Sequence, residues 1–450
     1  MEEGSGRTRL GPAGAAIGRR SVLAGLAAGA VCAAPWPGAR AGARAGGLFI
    51  PGARIEALRR GAPTPDLQAF LTRIAPLRAH GPAPFAADPD TLRFGWKERQ
   101  APPDDTLREA TTRLQADSDA ARDLALGFAL TGDPAQARAA LRVMLAWARR
   151  GRAVNLYDYD PDFAAASMRG GTEGFGSDRP WNFGLDMIWQ GYGLLNACDA
   201  FLLLRHGGAA IAPAEAEELR AWFRRLAEAT NSGLHAWTLW AEAHAPGAGR
   251  TGAPHFHGGF GGDDPMAAAV ERHLADNHLS WAMAGLLAAA AALEDPALAA
   301  HVLTGAPWTD RRAGRRRNPA PLPGVILRAV EPDGRVYEER IGRRTPIGYG
   351  LFHLEAWCLC ARIAARQGWA DLWSGDVGAA ILAAALRYAP YMRGDKASPA
   401  PAEAQVRARW LLAASPPGFG GARRAGLLAA APPPPRMTHA IGPAALLLGG

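Results

Sequence analysis

Apolar residues recur at intervals of three and four along most of the chain from residue 64 onward, with Gly/Pro-rich breaks between the periodic segments. This spacing is typical of helices that bury one face. It predicts helices over residues 66–80, 105–130, 135–150, 183–206, 213–244, 264–294, 296–303, 349–367, 376–389 and 402–414. The short break at 131–134 predicts an antiparallel pair of helices. The sequence shows no fixed repeat period, so a simple repeat array is not expected, and the succession of helices predicts a single all-α domain.

Three segments interrupt the helical pattern and are candidates for the rim of a functional site: residues 155–182, 246–264 and 311–317. Asp333-Gly334 lies between two apolar-rich runs, 324–330 and 335–340. An Asp-Gly pair in such a setting predicts a small β-hairpin. One hairpin does not change the all-α class.

The chain has 450 residues and is 48% hydrophobic, which is ample for a sizeable core. Its first 45 residues carry paired arginines at Arg19-Arg20, then a short apolar run, then small-residue cleavage sequences ending at Ala41 or Ala45. This arrangement predicts an export signal of the twin-arginine type and a periplasmic location. We therefore expect a cleaved signal at 1–45, one domain at 46–414 and a loosely packed tail at 415–450.

The formal net charge is +8, and six arginines against two glutamates give residues 1–45 a net +4 of that total. The remaining +4 suits an acidic substrate without requiring nucleic acid. No later apolar run is long enough to span a bilayer, so no membrane insertion is expected of the mature protein. Composition leaves the oligomeric state open.

Three cysteines follow the leader, namely Cys198, Cys358 and Cys360. An odd, small number predicts core packing and not a disulfide framework. His255 and His257, with a nearby aspartate at 263 or 264, could bind a divalent metal. The many glycines of that segment disfavour a metal site, and we expect none.

An amide, an imidazole and an indole fall within six residues at 276–281, in the middle of the predicted helix 264–294. A buried helix face seldom needs Asn277 and His278, although a lone histidine on such a face is also compatible with a purely structural role. A second cluster places Arg343 and Arg344 shortly before Tyr349. Cationic neighbours favour a phenolate, but a tyrosine beside a solvated basic stretch is the simpler alternative.

Together the two clusters resemble the alginate lyase family of periplasmic polysaccharide lyases. That family carries Asn-Asn-His-x-Tyr-Trp on a helix, then an Asp-Gly hairpin, an acidic residue, an arginine and a tyrosine. Here the first motif is Asp276-Asn277-His278-Leu279-Ser280-Trp281, and the second is Asp333-Gly334, Glu339, Arg343 and Tyr349. The resemblance covers roughly residues 110–370. Asp276 and Ser280 depart from the family's Asn and Tyr, which bears on the substrate more than on the reaction.

The resemblance implies an incomplete (α/α) toroid of helical hairpins that cleaves a polyuronate by β-elimination without a metal or other cofactor. Asn277 and Arg343 would neutralise the substrate carboxylate beside the proton that is removed. His278 would be the base, with Tyr349 protonating the leaving oxygen, or Tyr349 would do both. The polymer could be alginate, polymannuronate or polyglucuronate.

A groove for an acidic polysaccharide needs flat apolar faces and polar groups around the reacting sugar. The predicted substrate-binding residues are Trp181, Asn182, Tyr192, Trp281, Arg344 and His353. Asn182 could instead cap the helix that follows it. Aromatic residues such as Trp189 are also compatible with the core.

Two other functions remain possible at this point. Helical toroids also carry glycoside hydrolases that use two carboxylates, and Asp186, Asp263, Asp264 and Glu355 are available, although no distinctive pair stands out. A periplasmic scaffold or glycan-binding protein without activity is the second alternative.

Overall fold

The computed structural model describes residues 46–84, 104–150, 182–243, 274–311, 314–340 and 345–392, with a few positions between 396 and 423. The chain divides into two compact units after Pro37, and every described residue belongs to the second. Its helices are α1 Gly52–Arg60, α2 Pro65–Ile74, α3 Asp104–Thr131, α4 Pro134–Arg150, α5 Asn182–His206, α6 Pro213–Ala243, α7 Asn277–Leu293, α8 Pro296–Thr304, α9 Leu322–Ala329, α10 Tyr337–Arg340, α11 Pro346–Gln367 and α12 Gly375–Met392. A 3-10 turn, Ala75–Ala79, extends α2.

Helices α5 and α7 lie side by side and run in the same direction. The ring of Tyr192 on α5 stacks on that of Trp281, in the second turn of α7, with centroids 4.3 Å apart. Thirteen residues later on each helix, Arg205 forms an ion pair with Glu294 at 2.7 Å. The second contact lies the same number of residues after the first on both helices, which is possible only if the helices are parallel.

Helix α11 packs on the other side of α7 and is parallel to it. The ring of Trp281 also stacks on Phe352 of α11, with centroids 4.8 Å apart. At the far end, Ala291 of α7 and Gln367 of α11 line one cavity of about 400 Å³. From the aromatic contact to the cavity, the chain runs toward the carboxyl end in both helices, so the two helices are parallel.

Helix α3 joins the same parallel set. Gly193 of α5 lies against Leu114 of α3, and fourteen residues later on both helices Gly207 lies against Phe128. The amino ends of α3, α5, α7 and α11 therefore all point to one end of the domain, and their carboxyl ends point to the other.

The helices that follow these four return in the opposite direction. The ring of Phe201 on α5 meets Phe223 on α6, whereas the earlier Gln190 contacts the later Thr230, which is an antiparallel order. α4 follows α3 after two residues, and α8 follows α7 in the same way. Inner parallel helices with outer returning partners form an (α/α) toroid of hairpins, which confirms the fold predicted from the sequence.

Residues 47–50 form a buried turn that contacts two of the inner helices: the Gly47 N–H donates to the Ile50 carbonyl at 3.0 Å, and Gly46 pairs with Pro51. The backbone N–H of Leu48 donates to the Asp199 carboxylate on α5 at 2.5 Å. Arg362 and Arg366 of α11 donate to backbone carbonyls of the same stretch at 2.5 and 2.9 Å. Burial lowers the pKa of Arg362 to about 10 and raises that of Asp199 to about 6. The amino-terminal stretch thus ties α5 to α11.

Of the β-hairpin predicted around Asp333-Gly334, only the turn forms, because the flanking runs are largely helical. Leu322–Ala329 is the helix α9 and Tyr337–Arg340 is α10, while across the turn Val330 and Val336 form an antiparallel bridge and the Glu331 N–H donates to the Arg335 carbonyl at 2.8 Å. Gly334 has φ +81, and a Cβ there would lie 2.3 Å from the Ala383 carbonyl oxygen of α12. The observed strands are β1 Trp308–Asp310 and β2 Gly314–Arg316, an antiparallel pair inside the arginine-rich segment.

The helix predicted over 264–294 is also interrupted. Leu274 and Ala275 are helical, but Asp276 has extended backbone angles and caps α7, which begins at Asn277. Residues 264–273, the segment 246–264 and the helix predicted over 402–414 lie outside the described residues, apart from Leu412. The Asn-His pair is therefore at a helix start and not in a helix middle.

The prediction that the three cysteines after residue 45 pack in the core is confirmed. Cys198, Cys358 and Cys360 are buried free thiols in the described region. Of the helices that the structure describes, none combines the length and apolar character that a bilayer span needs. Nor do His, Cys, Asp or Glu side chains gather in groups that could hold a metal ion anywhere in the described ranges. The His255–His257 segment lies outside those ranges.

Candidate active site

The first turn of α7 holds the imidazole in a defined orientation. Asp276 caps the helix, and its Oδ1 accepts the backbone N–H of His278 at 3.0 Å. The same oxygen also contacts Nδ1 of the His278 ring. Asp276 is fully buried and His278 is 6% exposed. The sequence therefore places a carboxylate where it serves both the helix end and the ring.

This contact sets the chemistry of the ring. A carboxylate accepts hydrogen bonds, so Nδ1 of His278 is the nitrogen that carries the proton in the neutral ring. Nε2 is then the basic nitrogen, because the two nitrogens of a neutral imidazole have opposite roles. A ring held in one tautomer and one orientation is suited to accepting a proton from a substrate.

Tyr349 lies at about the same level as His278 on the neighbouring helix. Trp281 of α7 stacks on Phe352 of α11, and the two helices are parallel. His278 and Tyr349 each precede a member of that stacked pair by three residues. Each is therefore roughly 4.5 Å closer to the amino end of its helix, on nearly the same face as the stacked ring. Tyr349 is half-buried.

Asn277 stands beside His278 as the first residue of α7 and is 1% exposed. The structure thus brings together three of the four predicted catalytic residues, Asn277, His278 and Tyr349, at one end of the toroid. The fourth, Arg343, lies outside the described residues.

The predicted substrate-binding residues divide into two groups. Trp181, Arg344 and the side chain of Asn182 lie outside the described part of the chain, although Asn182 begins α5. Trp281 and His353 have no exposed surface, and Tyr192 is 4% exposed. All three side chains are engaged in packing: the Trp281 ring lies against Tyr192 and Phe352, and His353 contacts Ser280 and Trp357. They form a layer directly behind His278 and Tyr349.

A polar cluster under the site explains one departure from the family motif. Ser280 is fully buried, and its hydroxyl contacts Nε2 of His353 at 2.7 Å and accepts the indole N–H of Trp357 at 3.0 Å. Ser280 therefore holds α7 against α11. The expectation that this position reads the sugar is not supported, because the side chain is enclosed between helices.

The direction of the inner helices adds a favourable field. α7 begins at Asn277, next to His278, and α11 begins at Pro346, three residues before Tyr349. A helix amino terminus has a partial positive charge from its unpaired N–H groups. These two termini favour a negatively charged ligand beside His278 and Tyr349.

Two residues of the site were missed from the sequence alone. Asp276 was expected only as a replacement for the family's amide, and Phe352 was not singled out. The signal for Asp276 was available: an aspartate before the first helical residues is a typical helix cap. The continuous apolar pattern from residue 264 hid that start.

An imidazole and a phenol at the amino ends of parallel helices can move protons on a ligand that reaches the end of the toroid, and an amide beside them can donate hydrogen bonds to it. Polysaccharide lyases are the class of protein that combines such groups with this fold, and the comparisons with known proteins agree with this class.

The chain belongs to the alginate lyase family. The model of that family, described as Alginate lyase, matches residues 79–244 and 263–398, about two thirds of the chain. The protein is thus a polysaccharide lyase. A sequence search of curated proteins finds no significant match.

Solved structures show the same fold at low identity. The crystal structure of alginate lyase A1-III from Sphingomonas species A1 is 15% identical, with a TM-score of 0.51 over 91% of this chain and 96% of that one. A tyrosine-to-phenylalanine variant of A1-III with a tetrasaccharide is 15% identical, with a TM-score of 0.53 over 92% and 97%. A histidine-to-alanine variant with a tetrasaccharide is 14% identical, with a TM-score of 0.53 over 93% and 99%. At this identity the likeness shows the fold.

Proposed function

We propose that the protein cleaves a polymer of uronic acids, alginate or a polyglucuronate, by β-elimination. The observation that carries this proposal is the level placement of His278 and Tyr349 on parallel helices, tied by the stack of Trp281 on Phe352. One group on each helix can then reach one sugar unit. The A1-III structures that hold a tetrasaccharide are of variants in which a histidine or a tyrosine is replaced, the two residue types that this proposal uses.

Charge neutralisation comes first in this reaction. The C5 proton of a uronate is removed next to a carboxylate, and negative charge accumulates there unless it is stabilised. Asn277 can donate its amide N–H groups to that carboxylate, and Arg343 is the cation that we assign to the same task. Such donors act on charge that develops in the transition state. The amino ends of the inner helices add to this effect.

Proton transfer completes the elimination. The C5–H bond breaks, its electron pair forms the C4–C5 double bond, and the C4–O4 bond breaks. His278 takes the C5 proton through Nε2, and Tyr349 protonates the leaving O4, when the C5 proton and O4 lie on opposite faces of the sugar. Where they share a face, Tyr349 performs both transfers.

The location is a separate proposal. Arg19-Arg20 and the apolar run that follows support export to the periplasm, where an acidic polysaccharide can reach the enzyme. Fractionation of cells that express the full chain, with and without the paired arginines, tests it. Retention of both forms in the cytoplasm contradicts it.

The reaction is tested by incubating the purified protein with polymannuronate, polyguluronate and polyglucuronate while absorbance near the ultraviolet band of unsaturated uronates is recorded. We expect absorbance to rise with at least one polymer. New reducing ends without absorbance would identify a hydrolase, and no product would leave only a binding role. Of the four carboxylates available to a hydrolase, Glu355 is the one whose side chain the structure describes, and it is 1% exposed.

The residues are tested with matched variants. His278→Ala and Tyr349→Phe should each lower kcat by roughly 10²-fold or more, since a positioned acid or base contributes about 10²–10⁴-fold. His206→Ala is the control with the same chemistry as His278→Ala, because His206 lines the cavity at the opposite end of the inner helices. Full activity in both site variants contradicts the assignment.

A further inference from the structure

Asp276 makes more contacts than a helix cap requires. Capping needs one oxygen that accepts a backbone N–H, and an asparagine or serine supplies it as well as an aspartate does. Here Oδ1 accepts the backbone N–H of His278 and also contacts Nδ1 of its ring. The second contact is the one for which a charge matters.

Burial makes the charge costly at this position. Asp276 has no exposed surface. Taking a carboxylate out of water is unfavourable unless hydrogen bonds and a cationic partner compensate for the lost hydration. A neutral amide would meet the capping need at a smaller cost. A carboxylate interacts more favourably than an amide with the His278 ring only when that ring becomes positively charged.

We propose that Asp276 is a positioning residue for the elimination: it holds His278 with the proton on Nδ1 and stabilises the imidazolium that forms at Nε2. This inference rests on the proposed function, because it assumes that His278 is the base. Asp276 does not touch the substrate and stays ionised throughout. The proton moves from C5 to Nε2 only, and the imidazolium then returns it to solvent.

The same pairing keeps the carboxylate from opposing the substrate. A buried anion close to a bound uronate would repel it. Because Oδ1 is engaged by the backbone N–H and the ring of His278 at a helix amino end, its charge is offset locally. An aspartate at position 276 is therefore compatible with an acidic substrate, although the family motif has an asparagine there.

The surrounding titratable groups define the pH experiment. α11 presents Tyr349 at the level of His278 and His353 against Ser280. α5 presents Tyr192 against Trp281. The side chains at the start of α5 lie outside the described residues. Each of these groups is unchanged in an Asp276 variant, so a change in the pH profile is attributable to the Asp276–His278 pair.

The test uses Asp276→Asn and Asp276→Ser, which both keep a capping oxygen, in the full-length enzyme. We expect thermal stability close to that of the parent, kcat at least about tenfold lower, KM nearly unchanged, and the acid limb of kcat/KM at lower pH. Asp276→Glu should recover part of kcat, because it restores the charge. If Asp276→Asn keeps kcat within twofold with the same acid limb, Asp276 is a helix cap only.

A substrate-free measurement separates this inference from the proposed function. Nitrogen-15 NMR of histidine-labelled protein reports which ring nitrogen carries the proton, with His278→Ala used to assign the signal. We expect the Nδ1–H tautomer in the parent and a mixture of tautomers in Asp276→Asn. Loss of lyase activity on every polyuronate would overturn the proposed function, whereas an unchanged tautomer in Asp276→Asn would overturn this inference alone.

Discussion

Tyr349 lies level with His278 because the helices that carry them are parallel and are locked by one aromatic stack. The stack joins Trp281 to Phe352, and Tyr192 closes it from the α5 side with centroids 4.3 Å from Trp281. Rigid neighbours behind a site fix the distance between its reacting groups, and small displacements of such groups lower rates strongly. We therefore expect the aromatic layer to fix the spacing of the two groups to which we assign the proton transfers.

Loosening this layer should lower turnover more than stability. Phe352→Leu removes the ring that sets α11 against Trp281 but keeps an apolar side chain. We expect a stability loss of about 1 kcal/mol and a kcat several-fold lower at unchanged KM. Phe419→Leu is the control: Phe419 packs on Trp373 with centroids 5.0 Å apart, outside the site. Equal kcat in the two variants would contradict a positioning role for the stack.

Close backbone contact between α5 and α7 should not tolerate a methyl group. A Cβ on Gly285 would lie 2.7 Å from the Cα of Gly191. Both atoms belong to helix backbones, so neither can move alone. We expect Gly285→Ala to lower the free energy of unfolding by about 1–3 kcal/mol in denaturant titrations. Gly81→Ala, which meets nothing within 4 Å, should be nearly neutral. A neutral Gly285→Ala would show that the helices separate readily.

The polar cluster under the site should matter for stability. Ser280→Ala removes the oxygen that His353 and the indole of Trp357 contact at 2.7 and 3.0 Å. Loss of a buried hydrogen-bond partner costs about 1–3 kcal/mol. The control Ser118→Ala removes only a bond to the carbonyl of Gln115 in the same helix. Thermal unfolding of both variants measures the difference, and equal melting temperatures would contradict it.

Asp199 should make stability fall as pH rises from about 4 to about 6. Burial raises its pKa from 3.8 to about 6, against the lowering effect of the Leu48 N–H and of Arg122. The folded protein then binds more protons than the unfolded chain in this window, so raising the pH favours unfolding. The shift of about two units corresponds to roughly 3 kcal/mol.

Asp199→Asn keeps an oxygen that can accept from Leu48 but cannot ionise. As the pH rises from 4 to 7, we expect the free energy of unfolding of this variant to increase relative to that of the parent by up to about 3 kcal/mol. Urea titrations at fixed ionic strength measure both values. The other carboxylates contribute equally to both proteins and cancel in the comparison. Parallel curves over this range would show that Asp199 is not protonated near pH 5.

Much of the fold follows from the sequence, because apolar spacing and breaks such as 131–134 report helices and their ends directly. The errors occurred where local patterns fit two structures. Residues 324–330 are apolar enough for a strand, yet they form a helix that packs on its neighbours, since tertiary contacts override short-range preference. Asp276 was placed inside a helix because apolar residues continue on both sides of it.

The candidate site was predictable in composition and not in geometry. Asn277, His278 and Tyr349 carry recognisable chemistry, but 71 residues separate the imidazole from the phenol in sequence. Only the parallel course of α7 and α11 brings them to one level, and nothing in either segment encodes that direction. The role of Asp276 likewise depends on a rotamer of His278 that no pattern of residue types reveals.

The buried stretch at 47–50 has a consequence for the order of folding. Its contacts with Arg362 and Arg366 join parts of the chain more than 300 residues apart. Long-range closures of this kind form late, because much of the chain must be ordered before they are gained. During synthesis the early hairpins can pack as they emerge, but this stretch must wait for the end of α11. Residues 47–50 are thus synthesised before the helices of the domain but pack among the last.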